Sequence, residues 1–312
     1  MVLLTNRNLL SMQDLSRDDI HSLISKASIY KKNRFLSERL LKGKTLGLIF
    51  QKPSTRTRVS FEIAMMQLGG NTIYLNSNDL QLSRGESIKD TARTLSLYID
   101  ILVARVFSHT DVEDLARYSN IPVINGLSDL YHPCQAMADL MTINENKGRL
   151  EGLKLAWVGD GNNVFNDLLI ACVKAGVFVT AAFPRGYEPP AFVLKIAEAA
   201  SFHNKPAFKI TNEPNEAVVD ADVIATDTFI SIGTEEERDT RNKIFLPKFQ
   251  INSTLMKLAK PDSIFMHCLP AKRGEEVTDQ VLDGKSSVVW DEAENRLHIQ
   301  KAILESLVGG VN

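Results

Sequence analysis

The densest cluster of chemically capable side chains lies at residues 52–58, KPSTRTR, directly after the apolar run TLGLIF and before a helical stretch. A turn from strand into helix offers an anion free backbone N–H groups and the positive end of the helix dipole. Ser54, Thr55 and Thr57 add hydroxyl donors. Arg56 and Arg58 add guanidinium forks of the shape that phosphate oxygens accept. One hydroxyl would serve as a cap, leaving two solvated arginines. Three hydroxyls and two arginines within five residues point instead to a phosphate or carboxylate site. Arg105 lies inside the apolar run ILVARVF, where a charge is costly unless an anion or an internal salt bridge meets it. In HPCQ, residues 132–135, Pro133 suits a first helical position. His132 then caps the helix and Gln135 follows on the same face one turn later. An imidazole beside a carboxamide can donate to a carbonyl oxygen and accept from an amide N–H, although a lone His at a helix start is more often only a cap. Cys134 reads as packing.

The elements that must position these groups show in the hydrophobic rhythm. Ser16 and Asp19 form a capping-box spacing ahead of Ile20, Leu23, Ile24 and Ala27, which predicts an amphipathic helix. TLGLIF (45–50), NTIYL (71–75), DILVARV (100–106) and IPVI (121–124) are continuous apolar runs, as expected of strands buried on both faces. Between the first two, Phe61, Ala64, Met65 and Leu68 mark a helical face that stops at Gly69-Gly70, so the unit is βαβ. The charged stretch NENKGRLEG (144–152) reads as a boundary. The rhythm restarts with LKLAWV (153–158), VFVTAA (177–182), AFKI (207–210), DVIAT (222–226) and SIFMH (263–267), and ends in a helix bearing Ile299, Ala302 and Ile303. The expected fold is α/β: two doubly wound parallel-sheet domains with the active-site cleft between them. The domains are expected at 1–145 and 150–293, with the helix at about 294–312 packing back on the first.

Bulk properties exclude several classes. The chain has 312 residues, with 36 Lys+Arg against 38 Asp+Glu, so no basic excess speaks for nucleic acid or an anionic membrane. Three cysteines, Cys134, Cys172 and Cys268, do not describe a disulfide scaffold. The N-terminal stretch lacks the apolar core of a signal peptide, and no run reaches the ~18 residues of a membrane span. The expectation is a cytoplasmic protein acting on small molecules, without nucleic-acid or membrane partners.

Four motifs, STRTR after a strand, HPCQ, HCLP (267–270) and DEAENR (291–296), together resemble the aspartate/ornithine carbamoyltransferase family, on its ornithine side. They run in the family's order from residue 52 to residue 296. The resemblance implies a homotrimer, or a multiple of trimers, with active sites near subunit interfaces and with no metal or cofactor. It implies that Ser54, Thr55, Arg56 and Thr57 hold a phosphate with the help of Arg105. By the same token Arg105, His132 and Gln135 surround a carbamoyl group, and Gln81, Cys268, Leu269 and Arg296 complete the carbamoyl-phosphate side. Asn163, Asp227, Ser231 and Ile232 match positions that hold the α-amino and α-carboxylate groups of ornithine. The family's ornithine branch usually reads Ser-Met-Gly where this chain has Ser231-Ile232-Gly233. Backbone groups at Ile232 can still bond a carboxylate. Arg105, His132, Asp227 and Cys268 are the expected catalytic set, with Cys268 orienting or handling a proton rather than attacking.

The activity so implied moves a carbamoyl group from carbamoyl phosphate to the δ-amine of L-ornithine. Putrescine, acylated ornithine and aspartate are alternative acceptors, although Asp227 and Ser231 favour a free α-amino acid. A nicotinamide-dependent dehydrogenase is the rival from another class, because LKLAWVGDGNN places GxG after a strand. The third glycine is missing, since Val stands at 164, and no acidic residue follows the next strand. The same residues would serve synthesis or breakdown of the product, so direction is open. TEEERDTRN (234–242) reads equally as a moving lid or as a solvated loop. If it is a lid, shortening it lowers turnover; an unchanged rate removes the idea.

Overall fold

The computed structural model describes residues 4, 8–33, 40–201, 206–230 and 235–308. The chain forms two compact units, one of Met1–Met141 with Glu294–Asn312 and one of Thr142–Ala293. Both divisions fall inside helices.

In the first unit, α1 (Arg17–Lys32) starts at a capping box. The Ser16 side chain accepts from the Asp19 N–H, and the Asp19 carboxylate accepts from the Ser16 N–H. Its apolar face, Ile20, Leu23, Ile24 and Ala27, is buried as its spacing requires. Four parallel strands follow, β1 (Thr45–Phe50), β2 (Asn71–Asn76), β3 (Ile101–Arg105) and β4 (Val123–Leu127), in the order β2-β1-β3-β4. They alternate with α2 (Thr55–Gln67), α3 (Ile88–Leu95) and α4 (His109–Tyr118), and α5 (Pro133–Lys147) comes after β4. Gly69, just past the end of α2, takes φ +83°, a conformation that a Cβ would strain.

The second unit repeats the plan with β5 (Lys154–Val158), β6 (Phe178–Ala182), β7 (Phe208–Thr211), β8 (Val223–Thr226) and β9 (Ile264–His267), ordered β7-β6-β5-β8-β9 and all parallel. Its helices are α6 (Asn163–Ala175), α7 (Ala191–Ala200), α8 (Pro214–Val218), α9 (Arg238–Phe245), α10 (Ser253–Met256) and α11 (Asp279–Leu282). A final helix, α12 (Val289–Val308), enters the first unit at Glu294.

All nine apolar runs read from the sequence are strands. Two are not buried on both faces, contrary to expectation. β2 and β7 carry exposed or half-buried residues along their length, with Ile73 of β2 46% exposed, whereas β4 and β9, also at sheet edges, are largely buried. A run of apolar residues has the same pattern whether or not other elements cover it, so the exposure of these two strands is not legible in the sequence. The sheet β3 core, by contrast, is closed: Ile101, Leu102, Val103 and Ala104 have no exposed surface.

α12 is fastened to α1. Tyr30 donates its hydroxyl to Glu305, Lys26 Nζ lies 2.9 Å from a Glu305 oxygen, and Lys31 Nζ donates to Asn295 Oδ1 at 2.8 Å. Ile299, Ala302 and Ile303 are fully buried beneath these contacts. No helix among the described residues is long and apolar enough to cross a membrane.

In each sheet the strand order reverses once, between β1 and β3 and between β5 and β8. Loops leaving the carboxyl ends of such a pair diverge, and the crevice left there is where ligands bind in open α/β sheets. Replacing Leu102, at the centre of the first sheet, with Ala should lower stability by roughly 2–5 kcal/mol, read as a shift in the denaturant midpoint of the first unit.

Candidate functional site

The first sheet's reversal point carries the anion cluster. β1 ends at Phe50, in register with Arg105 at the end of β3. Ser54 caps α2, its hydroxyl accepting from the Thr57 N–H at 3.3 Å. Thr57, 1% exposed, is the centre of the cluster. Its Oγ1 accepts from Arg296 Nη2 at 2.8 Å and from Arg105 Nη1 at 3.5 Å. Arg296 also donates through Nη1 to Gln135 Oε1 at 2.7 Å, and Gln135 Nε2 donates to Asp139 Oδ1 at 2.8 Å. Two buried guanidinium groups therefore converge on one hydroxyl, which fits a site built for a multiply charged anion.

His132 is 3% exposed, and its Nδ1 has no hydrogen-bond partner in the protein. Burial, then Arg296 and Arg105, hold its pKa well below the ordinary 6.5, so the imidazole is neutral near pH 7. A buried neutral imidazole with an unsatisfied nitrogen beside two arginines fits a ligand that brings its own polar atoms. Thr55 is exposed and Arg56 half-buried at the same helix start. Arg58 does not join them. It pairs with Glu62 one turn on, at 3.0 Å, and lies over the Tyr74 ring. Positions 56 and 58 are two apart, so a helix turns them to different faces. Gln81 sits exposed on a short 3₁₀ turn, and the structure gives it no hydrogen bond to this cluster.

The second sheet's reversal point carries a different chemistry. Asp227, 7% exposed, directly follows β8. Its Oδ2 accepts from Asn162 Nδ2 at 2.8 Å, and its Oδ1 accepts from the Cys268 thiol at 3.2 Å. Asn162 also caps α6, its Oδ1 accepting from the N–H groups of Val164 and Phe165. Gly161 of GDGNN is required by packing rather than by a pyrophosphate: a Cβ there would lie 2.4 Å from the Pro189 nitrogen and 2.6 Å from the Glu188 carbonyl carbon. Leu269 takes a left-handed φ of +59°, uncommon for a branched residue, and its N–H donates to His267 Nδ1 at 2.9 Å. That bond puts the ring proton on Nε2, which donates to the buried Glu276 at 3.1 Å, while the His267 N–H donates to Glu292 at 2.9 Å.

Asp227, His267 and Cys268 place one ligand atom each within 4.8 Å of one another, the spacing of a metal cluster. Both ring nitrogens of His267 are already committed to Leu269 and Glu276, so the trio is a poor metal site as arranged. Arg241 of α9 donates to Asp160 Oδ2 at 2.9 Å and to the Phe229 carbonyl at 2.8 Å. Burial pushes the Asp160 carboxyl up, against the pull of that arginine. The described part of the stretch 234–242 is thus a turn and a helix with one arginine tied inward. Ser231 and Ile232 lie outside the described residues.

The two units, one with arginines gathered on a hydroxyl and one with an acid–thiol pair, each match a domain of known proteins. Residues 7–145 match the family model "Aspartate/ornithine carbamoyltransferase, carbamoyl-P binding domain", and residues 151–307 match "Aspartate/ornithine carbamoyltransferase, Asp/Orn binding domain". The chain belongs to the aspartate/ornithine carbamoyltransferase family. Among the family's members, an ornithine carbamoyltransferase of Pyrococcus abyssi is 56% identical over 313 aligned positions, covering 100% of this chain and 98% of that protein. One from Methanocaldococcus jannaschii is 50% identical, over 96% of this chain and 98% of that protein. The solved ornithine carbamoyltransferase of Pyrococcus furiosus superposes with a TM-score of 0.96 at 55% identity, covering 100% of both chains. That of Thermus thermophilus gives 0.86 at 42% identity, over 95% of this chain and 97% of the other.

Within this carbamoyltransferase fold, sequence reasoning missed Asn162, Asp139 and the His267–Glu276 pair. Asn162 stands immediately before Asn163 and ahead of an apolar helix, an N-cap spacing that could have identified it. His267 and Glu276 meet across an irregular turn, where no periodicity signals contact.

His109, His132 and His298 all have pKa values lowered below 6.5, burial being the largest cause in each. The unfolded chain therefore binds more protons than the folded one just below that pH, and stability falls as pH drops through it. Denaturation midpoints taken between about pH 7.5 and pH 5.5 should decline, and His132→Asn should flatten part of that slope.

Proposed function

We propose that this chain transfers the carbamoyl group of carbamoyl phosphate to the δ-amine of L-ornithine, releasing L-citrulline and phosphate. The observation that carries the reading is the convergence of Arg105 and Arg296 on Thr57 Oγ1 beside a neutral, unsatisfied His132. Carbamoyl phosphate is already activated, so the protein need supply neither a nucleophile nor a cofactor. It must hold a highly charged leaving group and polarise one carbonyl. Ser54, Thr55, Arg56 and Thr57, at the start of α2, take the phosphate, helped by Arg105. Arg105, His132 and Thr57 donate to the carbamoyl oxygen as charge develops there, an effect of ~3–4 kcal/mol for each well-placed donor.

The second half-site takes the amino acid. Asp227 pairs with the α-ammonium of ornithine, and Asn162 fixes the orientation of that carboxylate. Asn163 and the Ser231-Ile232 segment complete the hold on the α-amino and α-carboxylate groups. Cys268 lies beside the δ-nitrogen, and the Cys268-Leu269 backbone, with Gln81, completes the carbamoyl-phosphate contacts. A free δ-ammonium has a pKa near ~10.4, so it must lose a proton before it attacks. Removal from water favours that loss. The neutral nitrogen then attacks the carbamoyl carbon, a tetrahedral intermediate forms, and the carbon–oxygen bond to phosphate breaks as the surplus proton on the attacking nitrogen passes to the departing phosphate. Orienting the two reactants can remove roughly 7–11 kcal/mol of the barrier.

The reading extends to a homotrimer, or a multiple of trimers, as the family resemblance implied, and to the cytoplasm, as the sparse cysteines and polar N-terminal stretch implied. A relative from Pyrococcus furiosus carries the word "anabolic" in its name, which favours the citrulline-forming direction. One assay tests the acceptor: carbamoyl phosphate offered in parallel with ornithine, putrescine, acetylornithine and aspartate. Product is expected with ornithine alone. Light scattering of the purified protein checks the trimer. Asp227→Asn should raise KM for ornithine by at least about tenfold, the loss of one charged hydrogen-bond partner, while binding of carbamoyl phosphate moves by less than about twofold.

A further inference from the structure

We propose that Asp139 determines which way round the carbamoyl group binds, by fixing the side-chain amide of Gln135; this rests on carbamoyl phosphate being the substrate. Gln135 has no exposed surface. Its amide oxygen and nitrogen are nearly equal in size, so packing alone would accept either orientation. Its two neighbours are not indifferent. Arg296 Nη1, 2.7 Å from Oε1, belongs to a guanidinium that can only donate. Asp139 Oδ1, 2.8 Å from Nε2, belongs to a carboxylate that can only accept. Turning the amide over would set N–H against N–H on one side and oxygen against oxygen on the other. The amide is therefore locked, with its oxygen on the side where Arg296 also reaches Thr57, at 2.8 Å.

Asp139 can do this because it stands four residues beyond Gln135 on α5, on the same face, and is itself only 3% exposed. Water cannot substitute for it as an acceptor at that depth. The consequence concerns the two arms of a carbamoyl group, a C=O that accepts and an NH₂ that donates. Arg105, His132 and Thr57 present donors, which suit the C=O. Gln135, held by Asp139, presents an acceptor, which suits the NH₂. Asp139 touches no substrate atom and acts as a positioning residue. The pair would also separate carbamoyl phosphate from acetyl phosphate, whose methyl group cannot donate to Oε1.

Equilibrium binding of carbamoyl phosphate and of acetyl phosphate, measured side by side on the full-length chain, tests this without relying on turnover. Asp139→Leu and Gln135→Leu should each weaken carbamoyl phosphate by about tenfold, the scale of one lost hydrogen bond, and leave acetyl phosphate within about twofold. Asp139→Asn, whose side-chain oxygen can still face Nε2, should restore most of the discrimination between the two ligands. In the Gln135→Leu background, Asp139→Leu should add little further loss. Equal weakening of both ligands, full additivity of the two changes, or failure of Asp139→Asn to recover discrimination would each overturn the proposal. If Asp139→Leu does not fold, Asp139→Ala withdraws the acceptor with less disturbance and is read the same way. Citrulline formation by the unaltered chain is scored in a separate tube, so a wrong substrate assignment shows there and not in the variants.

Discussion

A guanidinium group sealed from water must find an acceptor for its N–H groups within the protein, and this requirement governs the first unit. Arg296 is 4% exposed. It meets the need by bridging Thr57, at the start of α2, and Gln135, at the start of α5. Leaving a charge of this kind without partners costs more than its pairing returns, so the three elements are held to one arrangement. The hydrogen bonds from α1 to Glu305 and Asn295 set where α12 lies, and hence where Arg296 projects. The anion cradle is a consequence of satisfying a buried cation, and the same geometry leaves His132 uncharged.

The second unit reaches a comparable result without a buried arginine at its centre. Here the fixed group is an acceptor, Asp227, and the surrounding side chains are donors: the Asn162 amide and the Cys268 thiol. Behind Cys268, the His267–Glu276 pair holds the Leu269 N–H in a turn that a leucine does not adopt readily. The two sheets share an architecture and a strand-order reversal, yet one gathers positive charge there and the other sets a single negative charge among neutral donors. Fold fixes the location of such sites, and the residues at the strand ends fix their chemistry.

Much of this was legible in the residue order. Parallel strands covered by helices must be apolar throughout, so all nine stood out as runs, and the anion cluster showed itself by density of hydroxyls and arginines. What escaped has identifiable causes. Whether other elements cover a strand leaves no mark on an apolar run, so the exposure of β2, expected to be buried on both faces, does not show in its residues. Arg58 was grouped with Arg56 by proximity in the chain, although a helix separates neighbours two apart. Arg105 admitted either an anion or a salt bridge, and the structure shows it turned to Thr57. Asn162 was passed over for Asn163 because a cap and a ligand-holding residue look alike until the carboxylate beside them is seen. Asp139 carries no motif of its own. Its meaning lies wholly in the amide it faces.

The link between Thr57 and Arg296 spans 239 positions in the chain. During synthesis, the sheet, α1, α2 and α5 of the first unit all leave the ribosome before the residue that closes their anion cradle. The entire second unit, Thr142–Ala293, must be made in the interval. A nascent chain can therefore possess a formed first sheet while Thr57 and Gln135 still lack the guanidinium that joins them.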